Sequence, residues 1–329
     1  MKNPGFGALV VSLDFELRWG VRENYPLDGG TYRSNLLGAR AAIPRMLDLF
    51  EAFDIAATWA TVGFLFATSR QELSEIAPAI VPSYRNPCLS PYQDAIGQSE
   101  EDDPLHFAPS LIEAIRHRPR QEIGSHTFSH YYCLEEGQTR DAFEADLASA
   151  VAIAHRHDIR MRSIILPRNQ INPDYADILL RAGFTSYRGN ETGWLYRAAD
   201  DATKRQAAAR GTRLLDSYLV FSGNNLLRWE EVREPNGLCN VRSSRFLRPY
   251  SPRIRHLDRL RLRRITHGIR AAATTGTIFH LWWHPHNMGV YIDENLAFLC
   301  RILETFAECR ERYGMRSLSM EHVVDTLNA

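Results

Sequence analysis

Two histidines four residues apart, His126 and His130, lie in the run Glu122-Ile123-Gly124-Ser125-His126-Thr127-Phe128-Ser129-His130. Imidazole nitrogens are good ligands for a divalent ion of the zinc type. Residues at this spacing share one face if the segment turns as a helix. Two acids near the N-terminus complete a candidate ligand set. Ala8 to Leu13 is a short apolar run of the kind buried in a parallel sheet, and Asp14 and Glu16 follow it directly. In extended chain, residues two apart point the same way. Carboxylates leaving the end of a buried strand are costly unless paired or bound to a cation. The C-terminal ends of strands are also where α/β sheets and barrels build their active sites. The plainer alternative is a helix N-cap followed by an exposed loop acid.

A second cluster of reactive side chains comes late, in Thr277-Ile278-Phe279-His280-Leu281-Trp282-Trp283-His284-Pro285-His286-Asn287. On a strand His280, Trp282, His284 and, further on, His286 share a side, and Pro285 argues against a helix. A histidine of near-neutral pKa suits proton donation. His280 and His284 are also four apart, which leaves a second metal site open, although a strand separates their Cβ atoms too widely for easy chelation. Trp282 or Trp283 offers a flat face to a sugar ring, while burial in the core is the ordinary fate of such a pair.

The elements that must position these groups alternate along the chain. Strand signals fall at residues 8–13, 56–61, 121–124, 162–166, 184–187, 213–220 and 277–282. Helical periodicity covers 36–52, 109–117, 139–157, 173–182, 255–272 and 293–312. Such alternation predicts a parallel α/β sheet or barrel. Periodicity alone does not separate a barrel from a doubly wound sheet.

Three segments, Ser12-Leu13-Asp14-Phe15-Glu16, Ala57-Thr58-Trp59-Ala60-Thr61-Val62-Gly63 and the Glu122–His130 run, occur in this order. Together they resemble the polysaccharide deacetylase family, carbohydrate esterase family 4 with its NodB-homology domain. The likeness runs from about residue 8 to about 190 and resumes near 276. It implies a distorted seven-stranded (β/α) barrel that removes acetyl groups from sugars with one divalent metal ion, Zn2+ first, with Co2+, Mn2+ or Ni2+ as alternatives. By this resemblance Asp14 is the general base, and Glu16, His126 and His130 are the metal ligands. Phe15 separates the two acids where the commonest family pattern has adjacent aspartates, so the roles of Asp14 and Glu16 are open to exchange. An arginine that pairs with the catalytic carboxylate is implied at Arg168, in Pro167-Arg168-Asn169-Gln170 after the strand-like 163–166. The general acid is implied at His284, with His280 and His286 as rivals. Asn169, Trp282, His286 and Asn287 become candidate substrate contacts.

Composition sets looser bounds. Formal net charge is zero, so no global field draws the chain to nucleic acid or anionic membrane. Of 39 basic residues only Lys2 and Lys204 are lysine. The five cysteines lack metal-type spacing and are expected to be reduced thiols. The N-terminus shows no apolar leader, and no 18-residue apolar span occurs. The expectation is a cytoplasmic enzyme without membrane insertion. It would act on an acetylated amino sugar, a sugar nucleotide or a lipid-linked saccharide in bacterial surface polysaccharide biosynthesis, such as that of O-antigen or capsule. The oligomeric state is not fixed by the sequence.

One catalytic domain is expected over residues 1–329, with rim insertions near 81–108 and 222–270. The first carries four prolines and the acid run Glu100-Glu101-Asp102-Asp103. The second includes ten arginines and one acid, Asp258, between Arg242 and Arg270. Those arginines suit either a phosphate or carboxylate ligand or a solvated helix face. Hydrolysis of another C–N bond, such as a ureide or formyl amide, and non-catalytic saccharide binding are the competing functions.

Overall fold

The computed structural model describes residues 4–25, 32–191 and 223–329. Its strands are β1 (Ala8–Phe15), β2 (Ala57–Thr61), β3 (Gln121–Ser125), β4 (Ser163–Ile164), β5 (Ser186–Tyr187), β6 (Cys239–Asn240), β7 (Arg245–Phe246), β8 (Ile278–Trp283) and β9 (Arg316–Leu318). The helices are α1 (Arg33–Phe53), α2 (Arg70–Ile76), α3 (Pro109–Arg116), α4 (Arg140–Arg156), α5 (Ala176–Arg181), α6 (Asp258–Thr275), α7 (Ile292–Tyr313) and α8 (Met320–Asn328). The strand order is β6-β5-β4-β3-β2-β1-β8-β7, every pairing is parallel, and β9 lies beside the first three residues of β1. β1 is buried along its whole length, which explains its unbroken apolar run.

The two ends of this order belong to one stretch of chain. Cys239, Val241 and Ser243 donate backbone N–H bonds to Thr185, Tyr187 and Gly189 on the β5 side. Ser244 and Leu247 donate to His280 and Trp282 on the β8 side. The segment 239–247 is therefore a single stave that changes partner halfway and closes the sheet. With it counted once and β9 set aside, the described residues form a curled barrel of seven parallel staves, as expected.

Helices cover the outside. α1 turns Ala39, Ala42, Ile43, Met46, Leu47 and Phe50 inward at helical spacing and ends at Asp54 in the left-handed region. Phe50 packs on Trp59 and Trp283, with ring centroids 6.2 Å apart in both cases. Truncating so buried an aromatic costs about 3–5 kcal/mol.

The expected strand over 213–220 lies outside the described residues. The segment 222–270 differs from expectation: it supplies β6, β7 and α6 to the barrel itself instead of a rim insertion. Its staves are two-residue ladders in the polar run Asn240-Val241-Arg242-Ser243-Ser244-Arg245, which carries no apolar strand signal. Several of its arginines act as clamps. Arg261 donates to the carbonyls of Arg248 and Pro249 at 2.6 and 2.8 Å and lies 3.9 Å over the Phe298 ring. Arg264 donates to Asn224 Oδ1 and the Gly223 carbonyl.

The 81–108 excursion is pinned to the barrel. Arg22 reaches Asp94 and the carbonyls of Cys88 and Ser90, and Glu100 binds Arg40 and Ser110. No helix among the described residues is long and apolar enough to cross a membrane.

Candidate active site

Asp14 is the penultimate residue of β1, and Glu16 is the first residue beyond the strand. Both are almost fully buried. A short turn, Leu17–Gly20, folds back over Glu16. A Cβ on Gly20 would lie 1.9 Å from the Glu16 carboxyl carbon, so only glycine leaves room for that side chain here. Glu16 Oε2 stands 3.2 Å from His126 Nε2 and 3.1 Å from His130 Nε2. Burial opposes ionisation of Glu16, but the His284 charge and the bonds to His126 and His130 hold its carboxyl well below the usual range.

The histidine pair is not helical, contrary to the spacing argument. His126 follows β3, with its N–H donating to Thr61 O, and Thr127 and His130 take left-handed φ values of 63° and 58°. Those two positions turn both rings inward from a tight loop. Asp146 on α4 anchors the loop by accepting from the Phe128 and Ser129 N–H groups, at 2.8 and 3.1 Å, and from the Ser129 hydroxyl. Burial pushes the Asp146 carboxyl up to about 6. Thr127 Oγ1 accepts the Tyr131 N–H at 2.7 Å.

Each ring is oriented from behind. His126 Nδ1 lies 2.7 Å from Ile165 O, a pure acceptor, so Nδ1 carries the proton and Nε2 presents a lone pair. His130 Nδ1 meets the Tyr132 hydroxyl at 3.1 Å. The ligand atoms of Glu16, His126 and His130 all lie within 4.8 Å of one another. Tetrahedral coordination at zinc-like bond lengths asks for ligand atoms about 3.3 Å apart. The Glu16 contacts match that edge length, so one carboxylate and two imidazoles fit a divalent ion.

Asp14, beside this triad, pairs with a different partner from the one expected. Arg188, immediately after β5, donates from Nη1 to Asp14 Oδ1 at 2.7 Å and from Nη2 to Oδ2 at 2.8 Å. Burial works against the Asp14 charge, but Arg188 foremost, with His126 and His284, lowers its pKa. Arg168 instead binds Glu23 and Glu135. Its backbone takes φ 56° in the turn after β4, and its guanidinium lies 4.4 Å over the Tyr132 ring. Only Arg168 was expected in this role; Arg188 follows the short strand β5 just as Arg168 follows β4, and no local signal marks it out.

Arg188 is itself fixed. Its Nη1 donates to Ser12 Oγ at 3.0 Å and its Nη2 to Asn169 Oδ1 at 2.9 Å. Asn169, expected as a substrate contact, thus spends its side-chain oxygen on Arg188. His280 Nδ1 donates to Val241 O at 2.9 Å, and its Nε2 meets Ser12 Oγ at 2.8 Å. Burial, reinforced by the Arg188 charge, pushes His280 down to about 3. It is a neutral spacer under the base, which removes it as a rival acid. Trp282 receives Arg188 at 4.0 Å over its ring and Phe246 at 4.7 Å between centroids, so the face expected to stack on sugar is partly taken. Trp283 is in the core.

His284 sits at the open side, with 24% of its side chain exposed, and its Nε2 is 3.5 Å from Glu16 Oε1 and 3.7 Å from Asp14 Oδ2. Tyr32 donates its hydroxyl to Asn287 Oδ1 at 2.9 Å, which turns Asn287 Nδ2 towards His284 Nδ1 at 3.3 Å. An amide nitrogen only donates, so His284 Nδ1 accepts and the ring proton sits on Nε2, facing the carboxylates. Asn287 therefore orients His284. His286 stacks on His284 at 5.1 Å, with Nε2 4.0 Å from Glu16 Oε1. Its buried Nδ1 has no hydrogen-bond partner, and burial pushes the ring down to about 3.

No family model matches the sequence, and no curated protein matches it. Solved structures do. A protein assigned as a polysaccharide deacetylase from Mycobacterium smegmatis aligns over 100% of this chain and 93% of its own, with TM-score 0.62 and 13% identity. Another assigned to that activity, from Pseudomonas aeruginosa PAO1, aligns over 99% and 94%, with TM-score 0.53 and 12% identity. A Puue allantoinase aligns over 99% and 93%, with TM-score 0.51 and 13% identity. The chain has the distorted α/β barrel fold that these structures share.

Proposed function

We propose that the protein is a metal-dependent hydrolase of a non-peptide C–N bond that deacetylates an N-acetyl amino sugar. The carrying observation is that a base, Asp14–Arg188, and His284 both stand beside the Glu16–His126–His130 triad, with His284 Nε2 3.5 Å from Glu16 Oε1 and 3.7 Å from Asp14 Oδ2. Glu16, His126 and His130 would hold the ion. A bound ion of the Zn2+ type, with Co2+, Mn2+ or Ni2+ as alternatives, supplies Lewis acidity towards the amide carbonyl and makes water easier to deprotonate.

The chain's own residues do the rest. Asp14 accepts the proton of the attacking water, and Arg188 keeps the carboxylate ionised and aimed. His284, as the imidazolium, gives its Nε2 proton to the departing nitrogen, and Asn287, held by Tyr32, keeps that edge of the ring turned towards the site. Barrel closure behind Asp14 excludes water from the far side of the base.

The substrate we favour is a sugar nucleotide or lipid-linked saccharide in surface polysaccharide assembly, such as that of O-antigen or capsule. Acting on a biosynthetic precursor, the enzyme would work in the cytoplasm. A ureide is the second reading. The occupied face of Trp282 and the likeness to an allantoinase favour it.

Acetate release from acetylated amino sugars and sugar nucleotides, assayed with and without chelator and with His126→Ala, tests the proposal. Chelator-sensitive release that is lost in the variant supports it. Activity that survives both treatments sinks it, and turnover of ureides alone moves the assignment to the second reading.

A further inference from the structure

We propose that Tyr132, Glu23 and Arg168 form a positioning relay for the ligand His130, setting how tightly the site holds its metal. This inference rests on the metal reading of the triad above.

Tyr132 is buried beside His130, with the two rings edge to face at 5.1 Å and 89°. Its hydroxyl donates to Glu23 Oε1. A phenol has one proton and a carboxylate only accepts, so that proton is committed to Glu23. The Tyr132 oxygen is left as an acceptor towards His130 Nδ1, 3.1 Å away. His130 must then carry its proton on Nδ1 and present the Nε2 lone pair beside Glu16 Oε2. Ile165 O imposes the same tautomer on His126.

The outer end of the relay is charge-matched. Arg168 pairs with Glu23 Oε2 and, at 2.8 Å, with Glu135 Oε1, while its guanidinium covers the Tyr132 ring. Gln170 Nε2 donates to the same Glu135 oxygen at 2.9 Å. Arg168 thus acts three residues removed from the ion through Glu23, Tyr132 and His130. It does not touch Asp14.

The test is the Zn2+ dissociation constant of the metal-free full chain, measured by competition with a chromophoric chelator alongside its melting temperature. Tyr132→Phe removes the acceptor for His130 and should weaken binding by about 10–100-fold. Tyr84→Phe is the structural control. Tyr84 Oη accepts the Tyr132 N–H at 2.9 Å in the same cluster but does not contact His130. Its Zn2+ affinity should match the wild type. Tyr132→Phe affinity within about two-fold of wild type, or an equal loss in Tyr84→Phe, overturns the relay; the ratio expected is that for deletion of an outer partner of a metal ligand.

If Tyr132→Phe does not fold, Glu23→Gln and Glu23→Leu carry the test. Gln keeps an acceptor for the Tyr132 hydroxyl and Leu removes it, so Leu should bind Zn2+ several-fold more weakly, and equal affinities overturn the relay. Wild type that binds no Zn2+ overturns the metal reading and the relay with it. Wild type that binds normally beside an unaffected Tyr132→Phe overturns the relay alone.

Discussion

Arg188 grips both carboxylate oxygens of Asp14, at 2.7 and 2.8 Å, from a position where neither group meets bulk water. A lysine offers a point charge in place of this fork. Arg188→Lys should therefore lower kcat/KM by about 100-fold or more, the scale on which a misdirected general base is felt. Loss of the fork raises the Asp14 pKa, so the acidic limb of the pH–rate profile should move to higher pH. Arg188→Ala strands a buried carboxylate and should cost about 3–5 kcal/mol of stability. Rate profiles and denaturant unfolding of the two variants check both statements. An unmoved acidic limb would remove Arg188 from the role.

His284 meets the site through one nitrogen, and its other nitrogen is held by Asn287. His284→Gln should cut kcat by about 10²–10⁴-fold, the usual worth of a positioned proton donor, with Zn2+ content unchanged. Asn287→Leu frees the ring tautomer and should lower kcat less than His284→Gln does. The loss should shrink for substrates with better leaving groups, because they need no protonation. An equal loss across a leaving-group series would count against His284 as the acid.

Gly20 gives a prediction in which the fold survives and the site does not. Its Cβ position is filled by the Glu16 carboxylate, the far end of a flexible side chain. Gly20→Ala should be accommodated by swinging Glu16 away from His126 and His130. Melting temperature should change little, while bound metal measured by elemental analysis falls. Full metal occupancy in Gly20→Ala would contradict this.

Glu122 lies at the opposite end of β3 from the histidine loop. It accepts from Thr58 Oγ1 at 2.7 Å and from the Glu321 N–H at the start of α8 at 3.1 Å. Burial and the nearby Glu321 charge push its carboxyl up to about 7. A carboxyl with a higher pKa in the folded chain binds more protons when folded, so stability falls as pH rises from the unfolded value to about 7 and then levels. The full difference is on the order of 3 kcal/mol. Glu122→Gln keeps an acceptor for Thr58 and removes the titration, so its unfolding free energy should be flatter across that interval. Parallel pH slopes for variant and wild type would rule this out.

Much of this arrangement was legible in the sequence because burial writes it there. The all-buried β1 shows as an apolar run, and Asp14 and Glu16 interrupt it at its end. α1, α4, α6 and α7 show through spacing, and their ends fall within a few residues of expectation. The histidine loop was found through its residues but misjudged in shape, since left-handed φ at Thr127 and His130 leaves no trace in residue type. β6 and β7 were missed because their staves are polar and two residues long. Arg188 was missed because choosing between two loop arginines depends on which strands are neighbours across the barrel. That is a long-range fact which no local window contains.

The stave that changes partner halfway ties the chemistry to the wall. Val241 stands at the joint: its N–H is spent on β5, and its carbonyl fixes His280. His280 steadies Ser12, which steadies Arg188, which steadies Asp14. A barrel that gapes at this joint would let the Asp14 pKa climb before it lost its shape. The acidity of Asp14 is thus a measure of how well the cylinder is shut, and hydrogen exchange at Val241 would rise under the same conditions that drag the pH optimum upward.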